Sequence, residues 1–237
     1  MTRGALVGAV CCAIAVVSAP PARAASPATT NRSPAERALE GLETRYARLL
    51  TERRPDLAER YYGATPYDVR FTPLDEATLD AHLRMLERLL AEAGSLPAGP
   101  RADSLRARLG REITQSAPGG ALRRDPLLWL DVVDAAARAP FAFGSATGCD
   151  RTHRATLQLR TLPEALRGAT VLLRGAKAPD AAALEDRIAR LERLLRQDLP
   201  ARSEPCRDSR RRGEFVEADS LAAAFLAEFR RWLSPGR

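Results

Sequence analysis

Apolar residues recur three or four positions apart along most of this chain, and proline or glycine stands at the breaks between such segments. This spacing places apolar side chains on one face of an α-helix. The first segment opens with Ser33 as a helix cap, Pro34 at the first helical position and Glu36 closing a capping box. Alternation typical of a β-strand is confined to short ambiguous pieces such as 171–173. The sequence therefore predicts an all-α fold, a bundle of about six to eight helices arranged mostly as antiparallel hairpins.

The breaks also predict where the helices lie. The segment from residue 125 is apolar on nearly every side, which places it at the centre of the bundle. Pro163 predicts a kink or two shorter helices within 150–174, and residues 200–213 are predicted to form a polar, arginine-rich loop. The predicted helices cover about 33–54, a short turn to 62, 72–94, 101–116, 125–138, 150–174, 180–198 and 216–233.

The amino terminus has the pattern of a secretory signal peptide, predicted to span residues 1–24. Arg3 supplies a positive start, residues 5–19 are apolar and uncharged, and residues 22–24 fit the small-x-small cleavage rule. The apolar run is shorter than the roughly 20 residues of a membrane-spanning helix. We therefore expect an exported protein, periplasmic or extracellular, that begins at Ala25 and has no membrane span after cleavage.

Beyond the signal we expect a disordered leader over residues 25–32 and a single helical domain over 33–237. The chain carries a formal charge of +7, and all of its basic residues except Lys177 are arginines. Arginine binds phosphate well, but here the arginines alternate with acidic residues and no set of aromatic residues suits base stacking. A nucleic-acid partner is therefore not expected.

Two cysteines of the mature chain, Cys149 and Cys206, are predicted to form a disulfide. They flank two helices expected to pair as an antiparallel hairpin, so both lie at one end of it, and export favours the bond. A disulfide that closes a loop of about 57 residues stabilises the fold by roughly 4 kcal/mol. The alternative is a zinc site in which His153 joins the two cysteines. His82 lies off the leucine stripe of its helix and is predicted to be a surface residue.

Catalytic motifs are absent from the sequence. It contains no HExxH, no GxSxG, and no Gly-Lys-Ser/Thr after the small residues of 144–148, which we interpret as a connector. Asp131 and Asp134 are weak acid–base candidates, since they lie about one turn apart on the most apolar helix. Arg138 follows Asp134 by four, so a structural ion pair is the favoured interpretation. We assign no catalytic, cofactor-binding or metal-binding residue and expect no cofactor.

Five stretches carry a resemblance to a known family. They are 54–58, with Arg-Pro-Asp-Leu-Ala after the first helix, 63–75, 124–131, 162–166 and 179–200. Together they resemble the amino-terminal helical part of a bacterial secreted family, domain of unknown function 885. Longer members look like zinc metallopeptidases with an HExxH helix in a second half. The resemblance implies a helical module that packs beside a catalytic domain and helps shape a substrate cleft, and no catalytic residue carries over.

Two functions follow as hypotheses. The first is a non-catalytic exported helical protein, a binding or scaffold module that binds a protein or peptide, or associates with itself. The second is the helical subunit of a split zinc metallopeptidase whose HExxH half is a separate chain. The last helix is predicted to carry an exposed apolar surface made of Leu221, Phe225, Phe229 and Trp232. In the alternative, that helix folds back and closes the core.

Overall fold

The protein is all-α, as the sequence predicts. The computed structural model describes residues 32–62, 71–72, 75–142, 148–177 and 179–234. The predicted signal peptide, nearly all of the predicted leader and most of the loop at 144–148 lie outside these ranges. Within them every regular element is helical, and eight α-helices have 11 residues or more.

The helices are numbered in chain order. They are α1 (Pro34–Arg53), α2 (Pro55–Tyr62), α3 (Glu76–Gly94), α4 (Pro100–Ser116), α5 (Pro126–Ala142), α6 (Gly148–Leu159), α7 (Leu162–Leu172), α8 (Ala181–Arg193), α9 (Leu199–Ser203) and α10 (Ser209–Leu233). A 3₁₀ turn at Ala121–Arg123 precedes α5, and a π-helical segment at Leu194–Asp198 joins α8 to α9.

Helix starts follow local capping chemistry. The predicted capping box of α1 is present: the Glu36 N–H donates to Ser33 Oγ at 3.2 Å, and the Ser33 N–H donates to Glu36 Oε2 at 2.6 Å. Helix α3 begins at Glu76, later than predicted, because Asp75 caps it by accepting from the Thr78 N–H at 2.7 Å. Short polar side chains therefore fix where these helices begin.

Residues 150–174 form two helices, one of the two alternatives predicted from Pro163. The chain breaks after Leu159, and Pro163 lies in the first turn of α7. The predicted loop at 200–213 is wrong at both ends, since the non-helical segment covers only 204–208. Residues 199–203 are helical, and α10 begins at Ser209 because the Asp208 carboxylate accepts from the N–H groups of Arg210 and Arg211.

The described helices bury two apolar cores. The amino-terminal core is built by α1–α4 around Tyr46, Leu50, Leu86 and Leu109. The larger carboxy-terminal core surrounds α5, which is buried on most sides, as predicted from its composition. At its centre the Trp129 Nε1–H donates to the Leu122 carbonyl at 2.8 Å. Among the described helices, none combines the length and apolar character needed to cross a membrane.

Candidate functional site

The amino-terminal core contains a polar cluster, because α3 places one polar residue on its buried face and α4 places two. Both buried faces alternate steps of three and four residues. On α3 this face is Leu79, His82, Leu86, Leu89 and Ala93, and on α4 it is Ala102, Leu105, Leu109, Glu112 and Ser116. His82 and Glu112 therefore occupy positions that leucine fills elsewhere on these helices.

The prediction that His82 lies at the surface is wrong. The residue is only 1% exposed, and its Nε2 lies 3.2 Å from Oε1 of Glu112, which is equally buried. The leucine stripe of this helix was predicted as Leu79, Leu83, Leu86 and Leu90. Leu79 and Leu86 are buried, but Leu83 and Leu90 are only partly buried, and the neighbouring His82 and Leu89 are buried instead. A histidine can occupy a core position here because a carboxylate on the facing helix provides a hydrogen-bond partner.

Arg54, at the junction of α1 and α2, is the centre of the cluster and is fully buried. Its Nε and Nη2 each donate to the Asp56 carboxylate at 2.9 Å, a two-pronged pair. Its Nη1 donates to both oxygens of Glu112 at 2.9 and 3.1 Å. Gln115 Oε1 accepts from both terminal nitrogens at 3.1 and 3.2 Å. One side chain thus links the α1–α2 junction to α4.

The electrostatics of the cluster follow from this geometry. Burial alone would lower the pKa of Arg54, but the carboxylates of Asp56 and Glu112 outweigh burial and raise that pKa above its ordinary value. Burial, with a smaller contribution from Glu112, also raises the pKa of Tyr46. Within the described residues the Tyr46 hydroxyl, His82 Nδ1 and the Ser116 hydroxyl have no hydrogen-bond partner. The Arg54 and Glu112 side chains are charged and fully buried, and the Asp56 side chain is only 11% exposed. This suits a structural ion pair between helices better than substrate binding.

The predicted disulfide between Cys149 and Cys206 is confirmed. It joins the first turn of α6 to the segment that precedes α10. Both sulfurs are bonded to each other, so the Cys-His-Cys zinc alternative is contradicted, and His153 is exposed. Across the described parts of the chain there is no group of three histidine, cysteine or acidic side chains arranged to hold a metal ion.

The two weak acid–base candidates are held by separate arginines. Asp134 forms the predicted ion pair with Arg138, with a Nη2–Oδ2 distance of 2.7 Å. Asp131 instead pairs with Arg187 of α8, with a Nε–Oδ1 distance of 2.7 Å. The structure therefore does not join Asp131, Asp134 and Arg138 into one site, and the ion pairs explain why these acids lie on an apolar helix.

Asp219 of α10 is an acid that the sequence analysis did not single out. It is 8% exposed, and its Oδ1 has no hydrogen-bond partner in the described part of the chain. Burial raises the pKa of Asp219 to about 6. The sequence could have indicated this burial by spacing alone, because Asp219 follows Phe215 by four residues and precedes Ala222 by three, which places it on the same face of α10.

The predicted apolar surface of α10 is divided between core and solvent. Phe229 is buried in the carboxy-terminal core, and Phe225 is partly buried with the Arg167 guanidinium 4.4 Å above its ring. Leu221 and Trp232 are exposed, at 46% and 38%. The indole of Trp232 stacks on the Phe229 ring with centroids 5.7 Å apart. The surface we call the α10 face therefore consists of Leu221, Phe225 and Trp232.

Comparison with known proteins gives no match to a family model, to a curated protein or to a solved structure. The resemblance to the family of domain of unknown function 885 stays a prediction.

Of the features described above, the buried cluster is enclosed, whereas the α10 face is open to a partner.

Proposed function

We propose that this protein is an exported, non-catalytic helical binding module that contacts a partner protein through the α10 face. The observation that carries the proposal is the position of Trp232: its side chain is 38% exposed, and its ring is held in place by stacking on Phe229 of the core. Tryptophan is among the residues that contribute most to binding energy in protein interfaces. A ring held rigidly before binding loses little conformational entropy when a partner covers it.

The rest of the face supports this proposal. At about 100° per residue, Leu221, Phe225 and Trp232 fall within about 40° of one another around the α10 axis. They extend along about 16 Å of the helix. Arg167 lies beside Phe225 and gives this apolar stripe a basic border. An apolar stripe bordered by polar groups is the usual composition of a binding surface.

Export is the second element of the proposal. The signal-like segment at residues 1–24 supports it, and the disulfide is consistent with an oxidising compartment. Amino-terminal sequencing of the protein recovered from a secreting host should begin at Ala25. A chain that keeps Met1 and remains in the cytoplasm would contradict this element.

The binding element is tested with Leu221→Asp and Trp232→Asp combined. Val216→Asp is the matched control, because Val216 is 58% exposed and lies about 140° away around the same helix. All variants should keep the circular dichroism spectrum of the parent; the control should also keep its thermal transition, and the double variant should unfold cooperatively at a slightly lower temperature because it loses the stacking on Phe229. The parent and the control should capture the same partner, identified by mass spectrometry, and the double variant should lose it. Loss of the Trp232 contact alone should weaken binding by about 2 kcal/mol or more.

The identity of the captured chain separates the two hypotheses. A separately encoded exported chain carrying HExxH would favour the split metallopeptidase. A partner without metallopeptidase motifs favours a simple binding module. If the parent captures only itself and sediments as a dimer that the double variant abolishes, the partner is a second copy. If the double variant captures the same partner as the parent, the α10 face is not the binding surface.

A further inference from the structure

A second surface, separate from the α10 face, lies between α1 and α3. The two helices border a groove of about 520 Å³. Leu49 and Leu89, whose side chains belong to the amino-terminal core, form its apolar base, and Met85 stands exposed at its edge. Arg45, Arg48, Glu52, Arg88 and Glu92 line its rim.

The charges of the rim are only partly balanced. Arg45 donates from Nη1 to Glu92 Oε1 at 3.2 Å and also from Nη2 to the other oxygen, and Arg48 Nε donates to Glu52 Oε1 at 3.0 Å. Arg88 has no acidic partner in the described part of the chain. Arg84, one turn earlier on α3, has none there either, but it does not line the groove. The rim therefore offers the unpaired positive charge of Arg88 beside an apolar base.

The dimensions of the groove suit two turns of a helix. The lining residues extend over 45–52 of α1 and 85–92 of α3, about 11 Å along each helix. Helix α1 packs on α2 and α3, so an added segment in the groove would lie against two existing helices, as in a bundle. Methionine at the edge adapts its flexible side chain to different apolar contacts.

We propose that the α1–α3 groove binds an acidic amphipathic helix of a partner protein. Apolar residues at positions i, i+3 or i+4 and i+7 of that helix would pack on Leu49, Met85 and Leu89. Its carboxylates would pair with Arg88. The occupant is acidic because the unpaired charge at the groove is cationic, and complementary charge sets the orientation and the rate of association. This proposal is independent of the α10 face.

The probe is a synthetic helical peptide of the length of α3, with leucine at helical spacing and glutamate on the remaining face, labelled with a fluorophore. A second peptide carries lysine in place of every glutamate. Fluorescence anisotropy against the full mature protein, at physiological salt, measures binding. We expect saturable binding of the acidic peptide and at least about tenfold weaker binding of the lysine peptide.

Two variants locate the binding site. Met85→Ser removes the apolar edge and Arg88→Glu reverses the unpaired charge, and both residues are exposed. Each should weaken the acidic peptide about tenfold while leaving the thermal transition unchanged. Arg111→Glu is the matched control, since Arg111 is exposed on α4 and does not line the groove. It should change the affinity less than about twofold.

Several outcomes would overturn the proposal. These are the absence of saturable binding and equal binding of both peptides. A third is an effect of Arg111→Glu as large as that of Arg88→Glu, because it would show only a general attraction of the acidic peptide to a basic protein. Sedimentation of the protein alone gives the remaining outcome. A dimer that Met85→Ser or Arg88→Glu dissolves would show that a second copy fills the groove, in place of a partner helix.

Discussion

The substitution Arg54→Met removes the guanidinium around which the buried cluster is built. Glu112, wholly buried, would then keep His82 Nε2 at 3.2 Å as its remaining side-chain hydrogen-bond contact in the cluster. Asp56 would lose both charge-assisted hydrogen bonds from Arg54. Removing one partner of a buried ion pair lowers the free energy of unfolding by about 3–5 kcal/mol, because an uncompensated charge stays in the core.

The companion variants separate charge from packing. In Arg54→Met with Glu112→Leu, the buried pair is replaced by apolar side chains of similar size, a change that is often nearly neutral. The double variant should therefore be more stable than Arg54→Met alone, although Asp56 and Gln115 still lose their donor. Arg48→Met is the matched control, since the Arg48–Glu52 pair is at the surface and should contribute less than about 1 kcal/mol.

The assay is urea unfolding at neutral pH, followed by circular dichroism at the helical band, with the disulfide intact. The free energy of unfolding in water comes from linear extrapolation. If Arg54→Met fails to fold, recovery of folding in the double variant still tests the reasoning. An Arg54→Met protein within about 1 kcal/mol of the parent, or a double variant no more stable than Arg54→Met alone, would refute it.

Two further predictions concern other parts of the fold. Cys206→Ser should lower the free energy of unfolding by about 4 kcal/mol, because the Cys149–Cys206 bond closes a 57-residue separation; urea unfolding checks this, and free Cys149 and Cys206 thiols in the parent protein would contradict it. The raised pKa of Asp219 means that the folded state holds this proton more tightly than the unfolded state, so its contribution to stability falls as pH rises from about 4 to about 6 and stays lost above that. Asp219→Asn should therefore raise the free energy of unfolding at pH near 7.5 by roughly 1–3 kcal/mol and flatten its pH dependence, and an unchanged slope would show that Asp219 is not responsible.

Sequence patterning alone determined the helical character of the chain and much of its segmentation. Ser33 and Glu36 are three residues apart, so the capping box of α1 is a local property of the chain. Apolar spacing is also local, which is why α5 could be placed at the centre of a bundle. The disulfide was predictable because the chain has few cysteines and the helices between Cys149 and Cys206 bring both back to one end.

Only the tertiary structure decided the roles of His82, Glu112 and Arg54. A polar residue that lies off a leucine stripe is predicted to be at the surface until its partner is known, and the partner of His82 is 30 residues away on another helix. The same holds at α10, where spacing groups Phe229 with Trp232, but packing buries one and exposes the other. Burial depends on which faces meet, and a charge is tolerated in the core only where a distant residue supplies the opposite charge or hydrogen bond. Such pairings arise between segments far apart in the chain, so no local pattern contains them.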